Sequence, residues 1–322
     1  MNGCKSHILR AVFGLCIAGL FVFIFETGCT SQKKQVIAVV LPSSTNPYWI
    51  SVRRGAEKAT LALPGDYEVI IRESDDQDAG SQVNILNNFL AQGRVAALVL
   101  GPASDTDTVP VVAEYSKRGI PTVLIDTPLR DAEMTKYGAK MNVFIGSDNK
   151  DGGRKAASIM AAALDGKGNK VLLIRGSFVH QSAIDRASGF QEVAQRLGLV
   201  VEAVDGEWKP LKAQELTYAK LSREPFQGIF ASNDDMAMGA IQGLRLLKTQ
   251  KANWPIIIGF DATKDGLRAI EDEEMYASIK QDPGYLGEEG VKSAVGLLSR
   301  DPGVVKSRLL PTSPVPNRTM KP

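Results

Sequence analysis

Cysteine and histidine are scarce in this chain: 322 residues contain three of the first and two of the second. The cysteines, Cys4, Cys16 and Cys29, all fall within the first 29 residues, so residues 30–322 must hold together without disulfides. A chain of this length buries enough core to do so. With only His7 and His180 available, and no cysteine beyond 29, Cys–His or Ser–His–Asp machinery could draw on His180 alone. There is no G-x-S-x-G, no Walker-type phosphate loop and no metal-ligand spacing, and the DGGR stretch at 151–154 is too short to signal a phosphate site. A non-enzyme without metal or cofactor is the expectation. The formal net charge is +2, with no basic tract beyond Lys33-Lys34, which argues against a nucleic-acid partner. Low-complexity segments and short internal repeats are lacking too.

What is present begins with a leader. Lys5 and Arg10 precede an apolar run from Ala11 to Phe25. About 20 residues are needed to span a bilayer as a helix, so this run suits the core of an export signal better than an anchor. Residues 1–28 are therefore expected to be a signal peptide. Thr27-Gly28-Cys29 resembles the lipobox of bacterial lipoproteins, which implies acylation of Cys29 and a tether over 29–35; Glu26 stands where that motif usually has an aliphatic residue. The resemblance implies a periplasmic or cell-surface protein held at a membrane through Cys29.

Beyond the leader, short β-branched runs alternate with amphipathic stretches of helical period. Strands are expected at 36–42, 67–72, 96–101, 121–126, 142–147, 170–176, 199–204, 228–232, 255–260 and 275–280. Continuous apolar strands separated by helices mean parallel sheets covered on both faces. Ten are too many for one compact open sheet of this size, and they fall into two sets around residue 147, where SDNKDGG reads as a crossing point. Two doubly wound α/β domains are preferred over a closed eight-stranded barrel, which would run without a break.

Ligands of open parallel sheets lie beyond the carboxyl ends of the strands. There this sequence places Asn46, Tyr48 and Trp49, then Asp126, Arg186, Trp208, Asn233, Asp261 and Gln281. Flat, two-headed Asp, Asn, Gln and Arg groups suit pairs of neighbouring hydroxyls, and aromatic rings cover the C–H faces of a sugar ring. Each has a plainer reading. Tyr48 and Trp49 could be core, Asn233 and Asp261 helix caps, Arg186 a surface ion-pair partner and Gln281 a solvent residue. Asn46 is expected to cap a helix with Pro47 at its first position. Asp234-Asp235 reads as a solvated helix start favoured by the helix dipole.

TNPYW, ID at 125–126, IGSDN, DRASGF, ASNDDMAMGAI, IIGFDATKDGLRAI and IKQDPGYLGEEGV, in this order, resemble the type I periplasmic sugar-binding proteins of ABC importers, the ribose and galactose type, over residues 36–318. The resemblance implies two Rossmann-like lobes joined by a three-stranded hinge: a first lobe of 36–147 plus 282–307 and a second of 148–281 plus 308–322. It implies a monomer that closes on a sugar or polyol and presents it to a membrane permease. Its ligand contacts fall on the rim residues already named. Ribose-like members carry Arg directly after the strand-four Asp, whereas this chain has Thr127, so a ligand other than ribose is expected. Two alternatives stay open, a sensor presenting its ligand to a membrane receptor and a non-sugar ligand such as a nucleoside or furanone. Regulators of the lactose-repressor type share the core but begin with a helix-turn-helix headpiece rather than a leader.

Overall fold

A computed structural model describes residues 34–75 and 78–316. Residues 1–33, with the expected signal peptide and Cys29, residues 76–77 and the tail 317–322 lie outside the described residues. Among those residues, no helix is long and apolar enough to cross a membrane.

The first lobe is built on β1 (Gln35–Leu41), β2 (Tyr67–Glu73), β3 (Val95–Leu100), β4 (Thr122–Ile125) and β5 (Val143–Ser147). The second repeats the plan with β6 (Lys170–Arg175), β7 (Val200–Asp205), β8 (Gly228–Ala231), β9 (Ile256–Asp261) and β10 (Ala277–Lys280). Two closing strands, β11 (Ser307–Leu310) and β12 (Ser313–Pro316), complete six-stranded sheets of order β2-β1-β3-β4-β5-β11 and β7-β6-β8-β9-β10-β12. The pairings are parallel except β10 with β12. The inner strands are sealed on both faces: Val36–Leu41 and Val171–Ile174 are at most 1% exposed. Continuous apolar runs can be satisfied only between two helical layers.

Two boundaries differ from expectation. Gln35 belongs to β1 rather than to a tether, because it pairs with Tyr67 and donates its N–H to the Asp66 carbonyl. Residues 308–310, expected in the second lobe, sit in the first sheet, where Ser307–Leu310 pair with Phe144–Ser147. The last crossing therefore falls at 311–312, beyond β11. The other two lie at Asp148, whose N–H bonds the Leu310 carbonyl, and at Gln281-Asp282, between β10 and α10 (Pro283–Ser299).

Helix packing sets the backbone near the site. Helices α5 (Asn149–Leu164) and α6 (Gln181–Arg196) meet through glycines. A Cβ on Gly153 would lie 2.1 Å from the Arg186 carbonyl oxygen, and one on Gly189 would lie 2.0 Å from that of Lys150. Only glycine permits this approach, and it fixes the turn of α6 that carries Arg186. DGGR is thus a packing signal.

Candidate functional site

In each sheet the strand order reverses beside the first strand of its lobe, between β1 and β3 and between β6 and β8, which is where an open α/β sheet leaves a crevice. The two crevices face one another. From the first lobe Asn46, Tyr48, Trp49, Pro102, Asp126 and Thr127 line a pocket of ≈ 400 Å³, its mouth included; from the second come His180, Ser182, Arg186, Trp208, Asn233 and Asp261.

Helix α1 (Pro47–Leu61) explains the aromatic pair. Asn46 Oδ1 accepts from the N–H groups of Tyr48 (2.9 Å) and Trp49 (3.4 Å), with Pro47 at the first helical position. The capped turn throws both rings inward, edge to face at 5.2 Å between centroids. They are core and cleft at once: each packs in the first-lobe core and borders the pocket. Tyr48 donates its hydroxyl to Asp126 Oδ1 at 2.6 Å, and burial, reinforced by that carboxylate, holds the phenol well above its ordinary range. Thr127 donates to Asp126 Oδ2 at 2.9 Å and stands 3.3 Å from the Ser182 hydroxyl of the other lobe.

Arg186 is no surface ion-pair residue, being 4% exposed. Its Nε donates to Asn149 Oδ1 (2.7 Å) and its Nη1 to the Ser232 carbonyl (2.6 Å), and it faces Asp261 at 3.6 Å. The guanidinium stacks on Phe260, 3.9 Å from the ring centroid, and borders Trp208 at 5.4 Å. Asp261 does not cap a helix; Thr263 caps α9 (Lys264–Glu271). Burial pushes the Asp261 carboxyl well above the usual range even with Arg186 opposing. Asn233 combines its two readings, since its Oδ1 caps α8 (Asp234–Leu246) through Met236 N at 2.9 Å while the side chain borders the pocket.

Gln281 does not line the pocket. It lies behind Asp261, buried, and donates to its Oδ1 at 2.6 Å. Asp234 is corrected too: it is fully buried, not solvated. Its carboxylate accepts from Thr263 N, Thr263 Oγ1 and Ser278 Oγ, and burial pushes it up to about 7. The chain folds so because Gly259 and Gly266 leave room for it; a Cβ at either would lie within 2.2 Å of its oxygens.

Backbone strain gathers here. Asp126 (φ 67°), Trp208 (φ 62°) and Asp261 (φ 109°) are non-glycine residues in the left-handed region, which costs about 1–3 kcal/mol each and is retained where geometry matters more than stability.

The lobes are bridged across the pocket. Asn46 Nδ2 donates to Asp235 Oδ2 at 2.8 Å. His180 Nε2 lies 2.7 Å from the Ala103 carbonyl, and Trp208 Nε1 lies 2.7 Å from His180 Nδ1. An indole N–H can only donate and a carbonyl only accept, so His180 takes the Nε2–H form with Nδ1 as acceptor. Trp208, its single N–H spent on His180, thus offers the pocket a ring rather than a free donor. Sequence reasoning missed Pro102, His180 and Ser182 as site residues, although the same rule points to them, since they follow the ends of β3 and β6.

A family profile described as periplasmic binding protein domain matches residues 37–302. The chain belongs to this family. The ribose import binding protein of Escherichia coli K12 is 30% identical over 82% of this chain and 85% of its own length. The D-allose-binding periplasmic protein of the same strain is 27% identical over 80% and 83%. The structure of the periplasmic component of an ABC-type sugar transport system from Hahella chejuensis superposes with a TM-score of 0.78 at 27% identity, covering 87% of this chain and 99% of that one. Periplasmic binding proteins of this kind bind rather than transform.

Proposed function

We propose that this chain is an extracytoplasmic solute-binding protein that closes its two lobes on a sugar or cyclic sugar alcohol and delivers it to an ABC importer in the membrane. The observation that carries the reading is the pairing of Asp126 from one lobe with Asp261 and Arg186 from the other, around a pocket walled by Tyr48, Trp49 and Trp208. Flat polar groups from both sides with aromatic faces between them suit a polyhydroxylated ring. A ligand that touches both lobes favours the closed arrangement by its differential contacts. Asn46, Tyr48, Trp49, Asp126, Thr127, Arg186, Trp208, Asn233 and Asp261 are assigned to the ligand wall, with Gln281 orienting Asp261.

The apolar run and Cys29 support a place on the far side of the cytoplasmic membrane with an acylated anchor, and the protein is proposed to act there as a monomer. Lipid attachment at that residue is tested by mass spectrometry of the membrane-extracted protein beside Cys29→Ser, which should appear in the soluble fraction. Ligand binding is tested by thermal shift of the purified chain with pentoses, hexoses, deoxy sugars, polyols and nucleosides. At 100 times Kd a ligand stabilises the folded state by about 2.7 kcal/mol. A shift with a carbohydrate, lost in Asp126→Ala, supports the reading; a shift with nucleosides alone refutes it.

A further inference from the structure

The pocket is lined by two carboxyl groups and one guanidinium. Its ionisable lining groups among the described residues are Asp126, Asp261, Arg186, His180 and Tyr48. Arg186 is committed to the second-lobe wall, held by Asn149, the Ser232 carbonyl and Asp261. His180, accepting the indole hydrogen on Nδ1 while donating from Nε2, contributes no cation. Tyr48 and Thr127 give Asp126 two hydroxyl donors, at 2.6 and 2.9 Å, and no lysine or arginine of the described residues lies within ion-pair distance of it. Asp126 is 6% exposed and borders the pocket. A buried carboxylate is ordinarily paired with a cation, because hydroxyls alone do not offset its lost hydration. Its backbone is held in the left-handed region at φ 67°, so the placement is imposed by the fold around it. On the opposite wall burial holds the Asp261 carboxyl well above its ordinary range although Arg186 faces it, and burial pushes Asp234 behind it up to about 7.

We propose that the cation this constellation lacks is carried by the ligand: an amino sugar or aminocyclitol whose ammonium group lies against Asp126, its hydroxyls meeting Asp261, Arg186 and Asn233. An ammonium brings three donors, and each Asp126 oxygen, accepting one hydroxyl hydrogen, keeps capacity for another. Thr127 serves this arrangement by being uncharged, since a basic side chain there would neutralise Asp126 from within the protein. The proposal rests on the carbohydrate-binding reading and narrows it.

The test is calorimetric titration of the purified full chain with matched pairs: glucosamine and glucose, galactosamine and galactose, an inosamine and myo-inositol, with the N-acetyl sugars as neutral controls. A charged hydrogen bond in place of a neutral one should separate at least one pair by about tenfold or more in favour of the amine. N-acetylation should remove that preference. Asp126→Asn should weaken the amine more than its hydroxyl partner, and Thr127→Arg should narrow or remove the difference between the two members of a pair. If the neutral members bind as tightly as the amines, or tighter, the ammonium proposal is overturned and the carbohydrate reading stands. If no member of either set binds, both fall. Should Thr127→Arg not fold by circular dichroism, the wild-type pairs and Asp126→Asn still decide.

Discussion

Replacing His180 by Ala removes one contact that exists only when the lobes are together and one that exists in either state. The Nε2–H bond to the Ala103 carbonyl, 2.7 Å, joins the second lobe to the first; the Trp208 bond to Nδ1 lies within the second lobe. Loss of the second cancels from a ligand dissociation constant, because open and closed forms share it. Loss of the first does not. The net value of such a bond is about 0.5–1.5 kcal/mol, and a buried acceptor left without a donor costs about 1–3 kcal/mol. Ala103 is 2% exposed with the lobes together, so its carbonyl faces that penalty on closure. The closed, liganded state should therefore weaken by about 1–3 kcal/mol, a loss of roughly 5- to 150-fold in affinity. It should appear in the dissociation rate, with association little changed. Trp208→Phe, which keeps a ring but removes the donor, should cost less, because the cross-lobe bond survives it. Stopped-flow and calorimetric titration with the ligand found by thermal shift would measure both. A dissociation constant for His180→Ala within twofold of wild type would refute the claim that this residue latches the lobes.

Three further outcomes are expected. Asn46→Ser should keep the cap of α1 but lose the 2.8 Å bond to Asp235, weakening ligand binding with little change in unfolding free energy, whereas Asn46→Ala should also lose about 1 kcal/mol of stability in chemical denaturation. Gly153→Val puts side-chain atoms where a Cβ already lies 2.1 Å from the Arg186 carbonyl oxygen, so melting should reveal a loss of about 1–3 kcal/mol or more, with weakened ligand binding as α6 moves. Asp234, pushed up by burial from its ordinary 3.8 to about 7, contributes stability that is fully present below pH 3.8 and is lost as pH rises to about 7. The unfolding free energy of Asp234→Asn, which keeps an acceptor for Thr263, should therefore gain on wild type between pH 4 and 7 and run parallel to it above 8; parallel curves throughout would contradict the assignment.

The ten strands of the two repeats were legible because each is an apolar run between helical stretches, and burial on both faces leaves that pattern little freedom. The rim residues were legible for a related reason: strand ends deliver side chains to one edge, so Asn46, Asp126, Arg186 and Asp261 could be picked out by position and chemistry. The closing strands SRLL and SPVP were not, being largely exposed and ordered by partners that the chain reaches only after crossing between lobes. Asp234 was misread for the same reason. Two adjacent acids at a helix start look solvated until Thr263, Ser278, Gly259 of β9 and Gly266 of α9 close around one of them.

The sequence by itself determined that the chain folds as two similar doubly wound lobes and that their strand ends carry the groups of a polar, ring-walled site. These follow from periodicity and composition, which are local. Only the tertiary structure decided how the hydrogen-bonding capacity of those groups is spent: Trp208 on His180 within its own lobe, Asn46 on a bridge across the cleft, Gln281 behind Asp261, and Asp126 on two hydroxyls with no lysine or arginine of the described residues beside it. A side chain's type states what it can bond, but which partner it meets depends on distances between residues scores of positions apart, and these exist only once both lobes are folded and facing one another.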